Sequence, residues 1–303
     1  MHTSTAAGRT ATGTVSVVVG IVLVAFNLRA GIAAVSPLLP DIREDLGISR
    51  GAAGLLTTLP VLCFGALSTA AAGLGRRIGS DRAVVLGMLV LAVASGVRLL
   101  PSAAWFFAGT VVLGAAITIG NELTPTLVKE HVPGRHVGSV TGLYTGALIG
   151  GAAVASAISA PLASTGLGWR GALLVWAVPP VVAAVAWIWV RRRAPAGHSG
   201  PTSGDTPSHK SPINGWMTWA LALFMGTQSL AYFAVLAWLP ALLRDHGVGA
   251  SRAGLALSLF NLFGIAAALV IPSLAARFAD QRALALSVCG CWAVAVVGLL
   301  VEP

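Results

Sequence analysis

Apolar residues run along this chain in blocks of about twenty, separated by short polar stretches rich in arginine, glycine and proline. Blocks of that length suit a helix crossing roughly 30 Å of hydrocarbon. They predict helices at 15–39, 51–74, 83–101, 104–126, 138–162, 169–190, 216–243, 252–274 and 283–301, nine in all. Strands of a membrane barrel would alternate apolar and polar residues over about ten positions, and no segment does. The opening "MHTSTAAGRTATGT" has one arginine and no acid, as the start of a secretory leader would. The apolar run behind it is too long for a leader core of about 7–15 residues, so it is expected to stay as the first helix.

Composition fixes the class. The 303 residues are 56% hydrophobic and 10% charged, with mean hydropathy +0.85, where soluble domains carry about 25% charged residues. An all-α integral membrane protein follows, with the lipid bilayer as its surroundings. The net charge of +9 would suit nucleic acid if it lay on one surface. It is divided by loop instead. Alternate assignment puts twelve lysines and arginines on the side of the N-terminus and five on the other, with Arg29 and Arg98 inside helices. That bias predicts a multi-pass protein of the cell membrane, of bacterial inner-membrane type, with a cytoplasmic N-terminus and no nucleic-acid partner. Cys63, Cys289 and Cys291 fall in apolar spans without metal-type spacing and read as small buried thiols.

Residues 191–215, "RRRAPAGHSGPTSGDTPSHKSPING", form a basic linker rich in Pro, Gly and Ser. The division is a cytoplasmic tail at 1–14, a six-helix bundle at 15–190, this linker, and a partial second bundle at 216–303. An offset of 200 supports it. "LPDIREDLGISRGAAGLLTTL" from Leu39 falls on "LPALLRDHGVGASRAGLALSL" from Leu239, and "LGRRIGSDRA" from Leu74 falls on "LAARFADQRA" from Leu274. One register through two helices and two loops implies duplicated six-helix halves related about the membrane normal. That is the arrangement of the major facilitator transporters, which hold solute between the halves near the midplane. On that count helices 10–12 are missing, and a truncation or a fragment is expected.

Asn27 and Arg29 interrupt helix 1. An arginine near the bilayer centre costs about 2.5–3.5 kcal/mol on insertion scales, so Arg29 is expected to face a bundle interior or a wet cavity. In the repeat register Asn27, Leu28 and Arg29 fall on Thr227, Gln228 and Ser229 of helix 7, setting polar groups at one depth in both halves. Interhelical hydrogen bonding is the alternative role for Asn27 and Gln228. Gln228 and Tyr232, one turn apart, would hold a solute opposite Arg29. In helix 4, Thr118, Asn121, Glu122 and Pro125 share a face by spacing. Glu122 either pairs with Lys129 or Arg76 near the cytoplasm or, if the helix continues to Lys129, lies deep enough to exchange a proton or pair with Arg29.

Glycines at 138, 142, 146 and 150 form a stripe read as a close-packing face, with Thr141 and Tyr144 off it. Arg98 is expected to snorkel to the interface, and Trp216, Trp219 and Trp238 to sit in an aromatic belt. The loop "GLGRRIGSDRAV" is either anchoring charge or a conformational latch. No nucleophile–base pair, metal cluster or phosphate-cradling glycine loop stands at a suitable depth, so no enzyme activity, metal or cofactor is expected.

Four stretches, "NLRAGIAAVSPLLPDI" (27–42), "GNELTPTLVKEHVPG" (120–134), "VTGLYTGALIGGA" (140–152) and "GTQSLAYFAVLAWLPALLRDHG" (226–247), resemble the cyanate and 2-nitroimidazole transporter family within the major facilitator superfamily. The resemblance runs from about Phe26 to about Gly290. It implies a twelve-helix secondary transporter that moves a small anionic or polar solute by rocking, alternating access. It carries over to Asn27, Arg29, Asn121, Pro125, Tyr144, Gln228, Ser229, Tyr232 and Trp238. Glu122 stands where the family usually has an apolar residue after the Gly-Asn pair, a departure that bears on the solute's charge or the coupling, and it is the candidate coupling carboxylate. The leading reading is a monomer transporting a cyanate-like anion, with a proton as coupling partner. The alternatives are export of nitroimidazole-type heterocycles and a truncated remnant that transports nothing.

Overall fold

The computed structural model describes residues 4–193 and 216–275, with 287, 290 and 291. The described residues form helices and short turns, with no strand among them. The chain divides into two compact units, 1–262 and 263–303. In the second, residues 263–275 are helical. Of the expected ninth span, 283–301, all but three residues lie outside the described ones.

Ten α-helices follow in order: α1 Ser4–Ala33, α2 Leu39–Leu46, α3 Arg50–Ile78, α4 Ser80–Val97, α5 Ala103–His131, α6 Gly134–Leu162, α7 Gly168–Val175, α8 Val178–Arg193, α9 Trp216–Asp245 and α10 Ala250–Ala275. Seven described stretches are long and apolar enough to cross a bilayer. One of them, Gly134–Arg192, holds 59 residues and contains the expected fifth and sixth helices. A π turn at Ala163–Leu167 opens it, with Gly166 and Gly168 at φ 90° and 62°, a backbone region that side chains resist. The chain then returns. Trp187 of α8 meets Asp81 and His131, which lie at the start of α4 and just before the start of α6.

Helix 1 is not the unbroken 15–39 expected. It begins at Ser4 and ends at Ala33. The Ala34 amide still donates to the Ala30 carbonyl at 2.9 Å, but Val35 donates to Ile32 at 3.2 Å and so bypasses Gly31. Pro37 and Pro40 have no N–H to continue the ladder. A short 3-10 turn at Ser36–Leu38 leads into α2.

The duplication is visible in the backbone. The Ile48 amide donates to the Arg43 carbonyl at 3.1 Å, and 200 positions on the Val248 amide donates to the Leu243 carbonyl at 2.9 Å. Gly47 and Gly247 both take positive φ, 63° and 81°. The following helices start at Arg50 and Ala250. One helix-ending motif is thus written twice, and its left-handed position favours glycine each time.

Helices approach closely where glycine leaves room: Gly120 on Leu28, Gly151 on the Phe26 carbonyl, and Gly114 on Pro60 and Cys63. Ile21, Leu28, Phe106, Leu113, Ile117 and Trp187 are fully buried between them. The stripe at Gly138, Gly142, Gly146 and Gly150 is not the packing face expected, since a Cβ at any of the four would meet nothing within 4 Å. Residue 151 lies 100° round the helix from 150, and it is that side which α1 covers. Cys63 is buried as expected, Cys291 is exposed, and Cys289 lies outside the described residues.

Charge gathers at two ends. At one, Asp81 accepts from Trp187 Nε1 at 3.2 Å and stands 3.4 Å from both His131 Nε2 and Arg191 Nε. Ser80 donates to Glu130 beside it at 2.9 Å. The loop of Asp81 therefore ties α4, α5 and α8 together within one half. At the other end Arg170 pairs with Asp45 at 2.9 Å, and Arg244 pairs with Asp41 at 3.0 Å. The second of these pairs joins the two halves.

Candidate functional site

Residues of α1, α3, α9 and α10 meet around Arg29. Its guanidinium carbon lies 4.4 Å from the Tyr232 ring centroid and 5.2 Å from that of Phe233, within the roughly 6 Å at which a ring face attracts a cation. Phe233 packs on Phe64 of α3 at 5.9 Å and edge-on to Tyr232 at 5.3 Å. Phe260 of α10 stacks on Tyr232 at 5.9 Å. Arg29 is half-buried, and among the described residues no carboxylate or carbonyl engages it. The arrangement is a cation held by aromatic faces with its N–H donors uncommitted among the described residues.

Asn261 backs the aromatic group. Tyr232 Oη donates to Asn261 Oδ1 at 2.8 Å, and Asn261 Nδ2 donates to the Leu257 carbonyl at 2.9 Å. Asn261 is buried and Tyr232 partly so. Sequence reasoning pairs Tyr232 with Arg29 and misses Asn261, Phe64, Phe233 and Phe260. Asn261 does carry a signal, because a lone amide in the apolar run "LALSLFNLFGIAAALVIP" has the mark that singles out Asn27. The phenylalanines carry none, since an aromatic in an apolar helix reads as packing.

Among the described residues, none of the other expected site residues bonds to Arg29. Asn27 is 4% exposed and turns its amide back on its own helix, Nδ2 donating to the Leu23 carbonyl at 2.7 Å, so it bridges no helices. Asn121 is half-buried, Tyr144 is half-buried against the core, and Gln228 and Ser229 are exposed. Thr118 and Glu122 do not share surroundings despite their spacing. Thr118 is buried and donates to the Gly114 carbonyl at 2.8 Å, while Glu122 is exposed. α5 does run past Lys129 to His131, yet Glu122 pairs with none of Arg29, Lys129 or Arg76.

Arg98 does not snorkel. It is 3% exposed, its Nη1 donates to the Gly31 carbonyl at 3.1 Å, and its guanidinium carbon lies 4.7 Å from the Phe106 ring centroid. Gly31 is the carbonyl that the break in helix 1 leaves without an amide. A Cβ at Gly109 would come within 2.7 Å of Arg98 Cγ, so glycine there makes the room. Arg98 thereby fixes the end of α1 two residues from Arg29. Trp238, placed in a belt by its sequence position, lies against Gly54 of α3 and is 44% exposed, whereas Trp216 is 81% exposed.

Comparison with known proteins agrees with this architecture. Residues 21–303 match the family model described as Major Facilitator Superfamily. The 2-nitroimidazole transporter of Escherichia coli (strain K12) is 35% identical over 286 residues, covering 94% of this chain and 72% of that protein. The cyanate transport protein CynX of the same organism is 32% identical over 265 residues, covering 87% and 67%. Among solved structures, an inward-facing, unoccupied bacterial homologue of the human lysosomal transporter Spinster gives a TM-score of 0.68 at 17% identity, covering 89% of this chain and 63% of that one. A multi-pass helical chain with repeated halves, matched to one family over nearly its whole length, belongs to the major facilitator superfamily.

Proposed function

We propose that this chain belongs to a secondary transporter that moves a small anionic or polar solute, cyanate-like, by alternating access, with its N-terminus in the cytoplasm and Arg29 as the principal solute contact. The observation that carries the reading is the guanidinium of Arg29, without an ion pair among the described residues, half-buried among helices and faced by rings. An arginine inside a membrane bundle is costly unless something there uses its charge. Its planar donors suit a carboxylate-like or linear anion. Asn27, Asn121, Tyr144 and Gln228 are assigned as secondary contacts, reached as the halves rock.

A monovalent anion entering a cell with a negative interior works against about 2.3 kcal/mol per 100 mV. A proton or an exchanged anion must therefore drive uptake, and Glu122, exposed and free of ion pairs among the described residues, is the carboxylate we assign to proton exchange. The rings of Tyr232 and Phe233 favour a second reading, outward movement of flat heterocycles. The 2-nitroimidazole transporter among the relatives supports it.

The test is uptake of radiolabelled cyanate into vesicles holding the full chain. Arg29→Gln is expected to cut uptake about ten- to hundredfold, the loss of a charge-assisted hydrogen bond worth roughly 1.5–3 kcal/mol. Undiminished uptake by Arg29→Gln overturns the assignment.

A further inference from the structure

Tyr232 has one hydroxyl hydrogen, and its neighbour fixes where that hydrogen goes. Asn261 is 1% exposed. A backbone carbonyl only accepts, so the amide nitrogen of Asn261 must be the atom facing Leu257, at 2.9 Å. The amide oxygen then faces Tyr232 Oη at 2.8 Å, and the phenol must be the donor. Its hydrogen is committed within the protein. What remains to a solute is a hydroxyl oxygen with lone pairs, an acceptor.

The same ring carries Arg29 4.4 Å from its centroid, and a guanidinium donates only. The rings packed beside them, Phe64, Phe233 and Phe260, offer no polar atom. A donor-only group and an acceptor-only group thus stand side by side. A solute with acceptors alone satisfies Arg29 and leaves the Tyr232 oxygen without a partner, whereas a solute with an N–H or O–H beside its acceptor group fills both.

Resting on the reading that Arg29 contacts the solute, and on its heterocycle form and not on cyanate, which carries no such hydrogen, we infer that Tyr232, held by Asn261, is a specificity-determining acceptor, and that the site selects planar solutes carrying an N–H or O–H donor next to the group Arg29 binds.

Two probes differ in that hydrogen. 2-Nitroimidazole carries a ring N–H; 1-methyl-2-nitroimidazole lacks it; 4-methyl-2-nitroimidazole keeps the N–H and controls for the added methyl. Binding of each to the purified full chain is measured by calorimetry at a pH where the rings are neutral. The wild type is expected to bind the two N–H compounds about three- to tenfold tighter than the N-methyl compound, the range of one neutral hydrogen bond. Tyr232→Phe keeps the ring under Arg29 and is expected to bring that ratio to about one. Asn261→Leu frees the hydroxyl to donate and is expected to lower the ratio, with a monodisperse elution profile as the folding control. Equal binding of all three probes by the wild type, with Arg29→Gln weakening every one, overturns this inference and leaves Arg29 as the contact. Binding indifferent to Arg29→Gln removes the reading beneath it as well, whereas no binding of any probe overturns this inference and leaves Arg29 to the cyanate-uptake test.

Discussion

Arg244 Nη2 stands 3.0 Å from Asp41 Oδ1 across 203 positions of sequence, and Arg244 Nη1 lies 3.4 Å from the Pro37 carbonyl. Arg244 comes from the last turn of α9 and Asp41 from the first turn of α2. These elements lead into the two turns that the repeat holds in register. Beside them Gly254 lies on the Ser156 carbonyl and Gly54 on Trp238. At this end α9 and α10 are held to α2, α3 and α6 by an ion pair over close backbone packing.

A partly exposed ion pair is worth about 0.2–1 kcal/mol, enough to move a two-state balance up to about fivefold. Asp41→Asn is accordingly expected to raise the population open at this end about two- to fivefold. The readout is maleimide labelling of a cysteine placed at Ser156, which is wholly buried when the halves meet, in a background with Cys289 and Cys291 replaced by serine. The charge swap Asp41→Arg with Arg244→Asp should return labelling to its starting rate. Unchanged labelling in Asp41→Asn would show that packing alone holds the end shut.

Gly151 and Gly142 separate a packing face from an open one. A Cβ at Gly151 overlaps the Phe26 carbonyl, a backbone atom that yields only if α1 moves, whereas a Cβ at Gly142 meets nothing within 4 Å. Gly151→Ala is expected to cost about 1–3 kcal/mol, as overpacking does. Gly142→Ala is expected to be neutral or to add up to about 1 kcal/mol, since alanine is the better helix former. Thermal unfolding in detergent compares the two, and equal shifts would contradict this assignment of the faces.

Such cases mark what the sequence makes legible. Arg29 stands out because a charge in an apolar run has few physical readings, and the repeat places Gly47 on Gly247 because a left-handed helix end favours glycine twice. Phe233 reaches Arg29, and Phe64 and Phe260 reach the rings that face it, only through tertiary packing of helices, and no periodicity marks them. The spacing of Gly138 to Gly150 shows a bare stripe but not what covers it. The break after Ala33 is announced by Pro37 and Pro40, yet hydropathy averages composition and does not see a lost amide donor. Arg98 is misread for the same reason: the carbonyl that holds it becomes free only once that break exists.

Arg98 is therefore expected to matter for stability beyond its charge. Arg98→Met keeps apolar volume over Phe106 but leaves the Gly31 carbonyl unpaired, at a cost of about 1–3 kcal/mol. Arg98→Lys keeps the charge without the planar stack and should recover only part of the loss. A lower melting temperature for Met than for Lys, both below wild type, is the expected order. Full recovery by Lys would mean that charge alone holds the end of α1.

Asp81 tests the opposite end. Its Oδ1 accepts from Trp187 Nε1, and Trp187 is fully buried, so removing the acceptor strands an indole N–H at a cost of about 1–3 kcal/mol. Asp81→Asn keeps an acceptor for the indole and loses only the charge facing His131 and Arg191, both partly exposed, which is worth under about 1 kcal/mol. Melting temperatures should fall from wild type to Asn to Ala. Trp187→Phe removes the stranded donor, so in the Asp81→Ala background it should cost less than it does in wild type. Equal costs in both backgrounds would show that Asp81 holds α4 to α8 through its charge and not through the indole.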